Sequence, residues 1–259
     1  MQRAILRDLL ILLGVFGLIW LVFSLFSYPD DPQLISKQRE EQLGKTYMDL
    51  ILLNPMFEEL NNNRVDSAVQ VIGDRLVEGL GSTDYHYHFV VFDSEMINAF
   101  TVPGGNILIS SGLLAFCDTP EELAAVMAHE MGHVENRHVI SRLAKELGIE
   151  ILTSGDQFVL GEITGMLSST SFDRKQEQEA DLFAATLLES ASIEPRTLAT
   201  FFRKLEQETE RHLLEDFEIV STHPNFSSRI REALNYRPSG DFQAKEIELD
   251  WEEIKAALY

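Results

Sequence analysis

TPEELAAVMAHEMGHVENRH, residues 119–138, reads as a single buried helix, and the rest of the chain is best understood outward from it. Thr119 suits an N-cap and Pro120 the first helical position, and Glu122 stands three residues after the cap, where its side chain can return a bond to the cap's N–H. Leu123, Val126, Met127 and Val134 supply an apolar stripe at helical spacing, with no Gly or Pro until Gly132.

With 3.6 residues per turn, His129 and His133 lie one above the other, so two imidazole nitrogens can converge on one metal ion. His129-Glu130-Met131-Gly132-His133 is the H-E-x-x-H zinc pattern. Glu130, one residue on, reaches a water in such a site without ligating the metal, which suits a general base. A metal-free reading would bury two histidines and a glutamate on a core helix with nothing to compensate them. No Gly and third His follow at metzincin spacing, because Asn136 and Val139 occupy those places.

The chain has 259 residues, 45% hydrophobic and 24% charged, enough for one substantial domain and an appendage. Its formal net charge of −21 disfavours nucleic acid or an anionic membrane surface as an electrostatic partner. The single cysteine, Cys117, sits in an apolar context and reads as core filler.

Residues 9–28, LLILLGVFGLIWLVFSLFSY, carry no charge. At about 1.5 Å per residue they match a hydrocarbon core of about 30 Å, so residues 1–28 read as an uncleaved transmembrane anchor. Arg3 and Arg7 precede the span and Asp30 and Asp31 follow it, which places the N-terminus in the cytoplasm and the catalytic domain outside it, periplasmic or extracytoplasmic. Residues 29–42 then form a linker, 43–236 the main domain and 237–259 an acidic tail with a peripheral helix.

Within the main domain, helical patterning from Leu43 to Leu80 is divided by Pro55 and Asn61-Asn62-Asn63, with Val65, Val69, Ile72, Leu76 and Leu80 as the better stripe. Tyr85–Asp93 and Ile107–Ile109 have β character around the turn signal Pro103-Gly104-Gly105-Asn106, predicting a small antiparallel sheet with His86 and His88 on its solvent side. The apolar but charge-broken stretch 140–167 is a candidate roof for the cleft. Ser171–Ser190 reads as another buried helix, striped by Leu182, Ala185, Leu187 and Leu188; Thr197–Leu214 and Ser227–Leu234 are further helices.

HEMGH followed by EQEAD, with Glu177 44 residues after His133, resembles the HtpX and CAAX-prenyl-protease family of gluzincins, peptidase family M48. Several of its members cross the membrane repeatedly, so this chain is more similar to a single-span, tethered minigluzincin. The resemblance implies an α+β, mostly α zincin domain holding one Zn2+ per chain through His129, His133 and Glu177. It also implies that Asp181 orients the first histidine; Glu177 and Asp181, at i and i+4, face the zinc helix together, whereas Glu179 points elsewhere. Asn98-Ala99-Phe100 before Pro103-Gly104-Gly105 is similar to the family's edge strand, which makes Asn98 and Ala99 substrate-binding residues.

His223, before Pro224 and six residues ahead of Arg229, resembles the family's H-P…R segment near the cleft. Its imidazole is expected to donate to the oxyanion, with Arg229 assisting by charge; the rival is closure onto the zinc as a fourth ligand. The expected function is a membrane-anchored zinc metalloendopeptidase acting on unfolded or damaged polypeptides. The alternative is a zinc-containing chaperone or adaptor that rarely cuts.

Overall fold

A computed structural model describes residues 35–147, 171–211, 219, 222–223 and 226–259. The expected span, residues 9–28, lies outside them, as does most of the stretch proposed as a roof. Among the described residues no helix is long and apolar enough to cross a membrane.

The first helix, α1 (Lys37–Ile51), begins inside the stretch expected to be a linker. Ser36 caps it by accepting the Arg39 N–H, and Leu43, Tyr47, Met48 and Ile51 bury one face. A 3-10 turn at Pro55–Phe57 leads to α2 (Asn63–Leu80), capped by Asn62 and buried along Val65, Val69, Ile72 and Leu76.

Three strands follow: β1 (His88–Phe92), β2 (Ala99–Val102) and β3 (Asn106–Ser110). Their order is β1-β3-β2, with β2 antiparallel to β3 but β1 parallel to it, so the sheet is mixed rather than antiparallel. The connection after β1 carries the chain past the central position before β2 forms. The turn at Gly104 and Gly105, with φ of 80° and 88° that side chains disfavour, then folds β3 back into the gap. β3 is buried at every residue and takes the centre, where both of its edges are paired. The outer edge of β1 is covered too, since Leu60 N–H donates to Val91 O and Asp93 N–H to Glu58 O, each at 2.8 Å. His86 and His88 are exposed, as the alternation predicts.

Ile107 and Ile109 face the larger core and Leu108 the smaller one. The larger core gathers α2, α4 (Pro120–Glu135), α6 (Arg174–Ser190), α7 (Thr197–Arg211) and α8 (Phe226–Asn235). The smaller holds α1, α5 (His138–Leu147) and the edge-to-face rings of Phe57, Phe92 and Phe100. A short α3 (Ser111–Phe116), capped by Ser110, joins β3 to α4.

Two further expectations change. The acidic tail is not peripheral: Ile247, Trp251 and Ile254 enter the larger core with α9 (Trp251–Ala256), and Trp251 Nε1 donates to Cys117 O at 2.9 Å. Arg75 clamps this segment through the carbonyls of Ala191, Ser192, Lys245 and Glu246. Leu182 is 63% exposed, because α6 turns Glu177, Ala180, Asp181 and Ala184 inward instead. Cys117 is fully buried core, and burial pushes its thiol pKa up.

Candidate metal centre

α4 is buried almost from end to end, and its start is fixed by Thr119, whose hydroxyl accepts the Glu122 N–H at 3.3 Å. Glu122 answers at Asp118 N–H, one residue before the cap, and its other contact is Lys204 Nζ at 2.9 Å. Gly132 matters for a different reason than backbone freedom. A Cβ there would stand 2.9 Å from Ala180 Cα and Ala180 O, so the missing side chain lets α4 and α6 approach closely enough to bring Glu177 to the histidines. α6 starts on a capping box between Asp173 and Gln176, which sets the phase of the helix and hence the inward direction of Glu177 and Asp181.

His129, His133, Glu177 and His223 are all buried, and one ligand atom from each lies within 4.8 Å of the others. His129 Nε2 is 3.1 Å from His133 Nε2, and Glu177 Oε1 is 3.5 Å from His133 Nε2. His223 Nδ1 lies 2.9 Å from Glu177 Oε1 and 3.2 Å from His129 Nε2. Tetrahedral zinc with bonds of about 2.0–2.1 Å requires ligand atoms about 3.4 Å apart, the spacing these donors bracket. Charge agrees with distance. Glu130, Glu177 and Asp181 are buried carboxylates, and Arg229 is the guanidinium that pairs with two of them, so the cluster suits a divalent cation.

Asp181 Oδ1 is 3.0 Å from His129 Nδ1, which leaves His129 Nε2 to face the other donors. Burial would raise the Asp181 pKa, but Arg229 and His129 more than offset it and hold the carboxyl down at about 2. Burial likewise opposes ionisation of Glu177, and His223, His133 and Arg229 overcome it, keeping that carboxyl well below the usual range. His133 is pushed well below the ordinary histidine value by burial, which keeps a lone pair available. Burial also lowers His223, yet Glu177 and Glu130 outweigh it and raise the group; the pocket favours positive charge at that nitrogen, from a proton or a metal.

Glu130 Oε2 accepts from Thr101 Oγ1 at 2.7 Å, while Oε1 is buried without a hydrogen bond, with His223 Nε2 at 3.5 Å. Thr101 comes from β2, where alternation places it on the same face as Ala99 and toward α4. Nothing in its local sequence distinguishes it. Asn98 and Ala99 are buried, and the Asn98 backbone exchanges hydrogen bonds with Ser110. Arg229 is 2% exposed and spends its donors on Asp181, Glu177 and the His223 carbonyl over the face of Phe202, 4.1 Å from the ring centre.

Two further groups stand behind the cluster. His138 Nδ1 is 3.0 Å from His133 Nδ1, and its Nε2 is 3.2 Å from Glu179 Oε2, so Glu179 is directed toward the site after all. Phe172 stacks on His133 at 3.8 Å between centroids. Helical spacing hides His138 from a sequence reading, because the chain leaves α4 at Asn136 and turns at Arg137, whose φ is 56°.

The family model of Peptidase family M48 matches residues 63–237. A beta-barrel assembly-enhancing protease of Escherichia coli K12 is 30% identical over 218 residues, 78% of this chain and 44% of its own. The mitochondrial metalloendopeptidase OMA1 of Arabidopsis thaliana is 34% identical over 55% of this chain and 30% of its own length. The metalloprotease LoiP of Escherichia coli K12 is 33% identical over 56% of this chain and 60% of its own. The chain thus spans less than half the length of the first of these relatives.

Proposed function

The chain belongs to peptidase family M48, a family of zinc metallopeptidases, and from that premise we propose that it is an endopeptidase cutting unfolded or damaged polypeptides from a membrane anchor at residues 9–28. The observation that carries the reading is the buried donor group of His129, His133 and Glu177 with Glu130 Oε1, which accepts no hydrogen bond, beside it. The anchor and its topology rest on the uncharged span and its flanking charges.

Zinc, when bound, supplies Lewis-acid polarisation of the scissile carbonyl and a lowered pKa for water in the site. His129, His133 and Glu177 would hold it, and Asp181, 3.0 Å from His129 Nδ1, would fix the His129 tautomer. Glu130, oriented by Thr101 through Oε2, takes the proton of the attacking water on Oε1, which accepts no hydrogen bond, and returns it to the leaving amine. Arg229 acts on the ligands rather than on substrate, by locking Glu177 and Asp181 in place. An extended substrate backbone would run along β2, the strand that Ala99 begins and Asn98 precedes.

His223 has two roles open to it, and its position favours one. A nitrogen 2.9 Å from Glu177 Oε1 stands with the donor set, which supports the fourth-ligand role over oxyanion donation; with that nitrogen on the metal, the site would be closed to water. A zinc-containing chaperone or adaptor that rarely cuts would share that closure. Full chain in mild detergent, incubated with unfolded casein with and without chelator, separates the two. Chelator-sensitive cleavage is the expected result; a chain that binds zinc, retains casein and never cuts it would establish the second reading.

A further inference from the structure

His129 and His133 are braced in different ways. Behind His129 stands a buried carboxylate, Asp181, at 3.0 Å. Behind His133 stands a second imidazole, and only behind that a carboxylate, Glu179, whose side chain is 41% exposed and also contacts Lys175 Nζ at 3.2 Å.

We propose that His138 is a positioning residue for His133: it accepts the Nδ1 proton of His133, fixes the tautomer that turns Nε2 toward zinc, and is itself fixed by Glu179. The inference rests on His133 being a ligand. His133 Nε2 faces His129 Nε2 at 3.1 Å and Glu177 Oε1 at 3.5 Å, so a metal held there needs its lone pair and the ring proton must sit on Nδ1. Two Nδ1 atoms 3.0 Å apart share one proton, which makes His138 Nδ1 the acceptor. The remaining His138 proton then lies on Nε2, 3.2 Å from Glu179 Oε2, where a carboxylate accepts it. One protonation pattern satisfies every link from the surface to the metal position.

Local structure is arranged to deliver this ring. Arg137, in a left-handed conformation, is held by Glu40 Oε2 at 2.9 Å and by Ile35 O, and α5 begins with His138 pointing back at the helix just left. Phe172 covers the flat face of His133, so the ring's freedom is confined to the plane in which the His138 bond acts. A bland role for His138, as a filler of a 4% exposed niche, requires its shape and not its acceptor.

The two roles separate in zinc affinity. Full chain in mild detergent is stripped of metal and titrated with zinc against a chromophoric chelator of known affinity. His138→Phe keeps a ring without an acceptor and should weaken zinc binding about 10–100-fold. His138→Asn places an amide oxygen near the Nδ1 position and should recover most of that loss, whereas Glu179→Gln, still an acceptor, should change affinity less than His138→Phe. Binding by His138→Phe within about threefold of wild type overturns the proposal, as does an Asn variant no better than the Phe variant. A His133→Ala chain that binds zinc like wild type removes the metal reading, and this inference with it; loss in His133→Ala without loss in His138→Phe removes the inference alone.

Discussion

Replacing Arg229 with methionine tests whether the ligand carboxylates are held in place by the protein's own charges. The guanidinium is 2% exposed, donates to Asp181 Oδ2 at 2.8 Å and Oδ1 at 2.7 Å, and meets Glu177 Oε2 at 2.7 Å. Methionine keeps the slim apolar stem over Phe202 and removes the charge, stranding two buried carboxylates. Breaking a buried ion pair from one side costs about 3–5 kcal/mol. With a urea m-value of about 3 kcal/mol/M for a chain of this size, the unfolding midpoint of chelated protein should fall by about 1–2 M. Zinc should shrink the deficit, because a divalent ion neutralises Glu177 in place of the guanidinium. The sign with pH follows from Asp181: its folded pKa of about 2 lies below the ordinary value of 3.8, so its share of stability is present above pH about 4 and is lost as pH falls through about 2. Arg229→Met should therefore lose that acid limb along with the midpoint. A midpoint shift below about 0.3 M, within the range of an average substitution, would refute the reasoning.

Glu130→Gln should keep full zinc content by metal analysis and lower casein turnover about 10²–10⁴-fold, since a base is removed and no ligand is. His223→Ala should raise basal proteolysis if its nitrogen closes the donor set; a fall in rate with zinc content unchanged would restore oxyanion donation. Gly132→Ala should weaken zinc binding and cost about 1–3 kcal/mol of stability in thermal unfolding, because the methyl group would stand 2.9 Å from Ala180 Cα and O where α4 and α6 meet. Cys117 should resist a thiol reagent in the native chain and react on unfolding; prompt labelling of native protein would contradict its full burial.

Elements whose information is periodic were legible in the sequence: the stripes of α2 and α4, the cap at Thr119, and the i, i+4 pairs His129/His133 and Glu177/Asp181. What the sequence did not disclose depends on chain crossings. The parallel pairing of β1 with β3 follows from which strand claims the centre, and Thr101 reaches Glu130 only because β2 lies against α4. Leu182 matched an apolar stripe, but in the first half of α6, where α4 closes in at Gly132 and Ala180, alanines and carboxylates took the inner face; Leu187 and Leu188 are buried farther along. The tail was misjudged because acidic stretches read as surface unless their partners are known, and Arg75, which clamps it, is 170 residues before Lys245. Arg229 was expected beside the cleft as an assisting charge, and its tie to Asp181, 48 residues back, is a contact between distant segments that no local pattern encodes.

The order in which this protein assembles follows from how its donors are spaced along the chain. His129 and His133 are available as soon as one helix forms, but His223 is 94 residues from His129 and 46 from Glu177. In the unfolded chain zinc meets at best a loose pair, and recruiting the distant donors carries loop-closure entropy that grows as about (3/2)RT ln n. Metal therefore gives little help to early folding, and its stabilisation appears only once a full cage exists. The contacts that close those loops are metal-independent: the Gly132–Ala180 approach and the Arg229 clamp on Asp181 and Glu177. The protein is built to fold first and be loaded afterwards, so refolding rate should be independent of zinc concentration while recovery of activity is not.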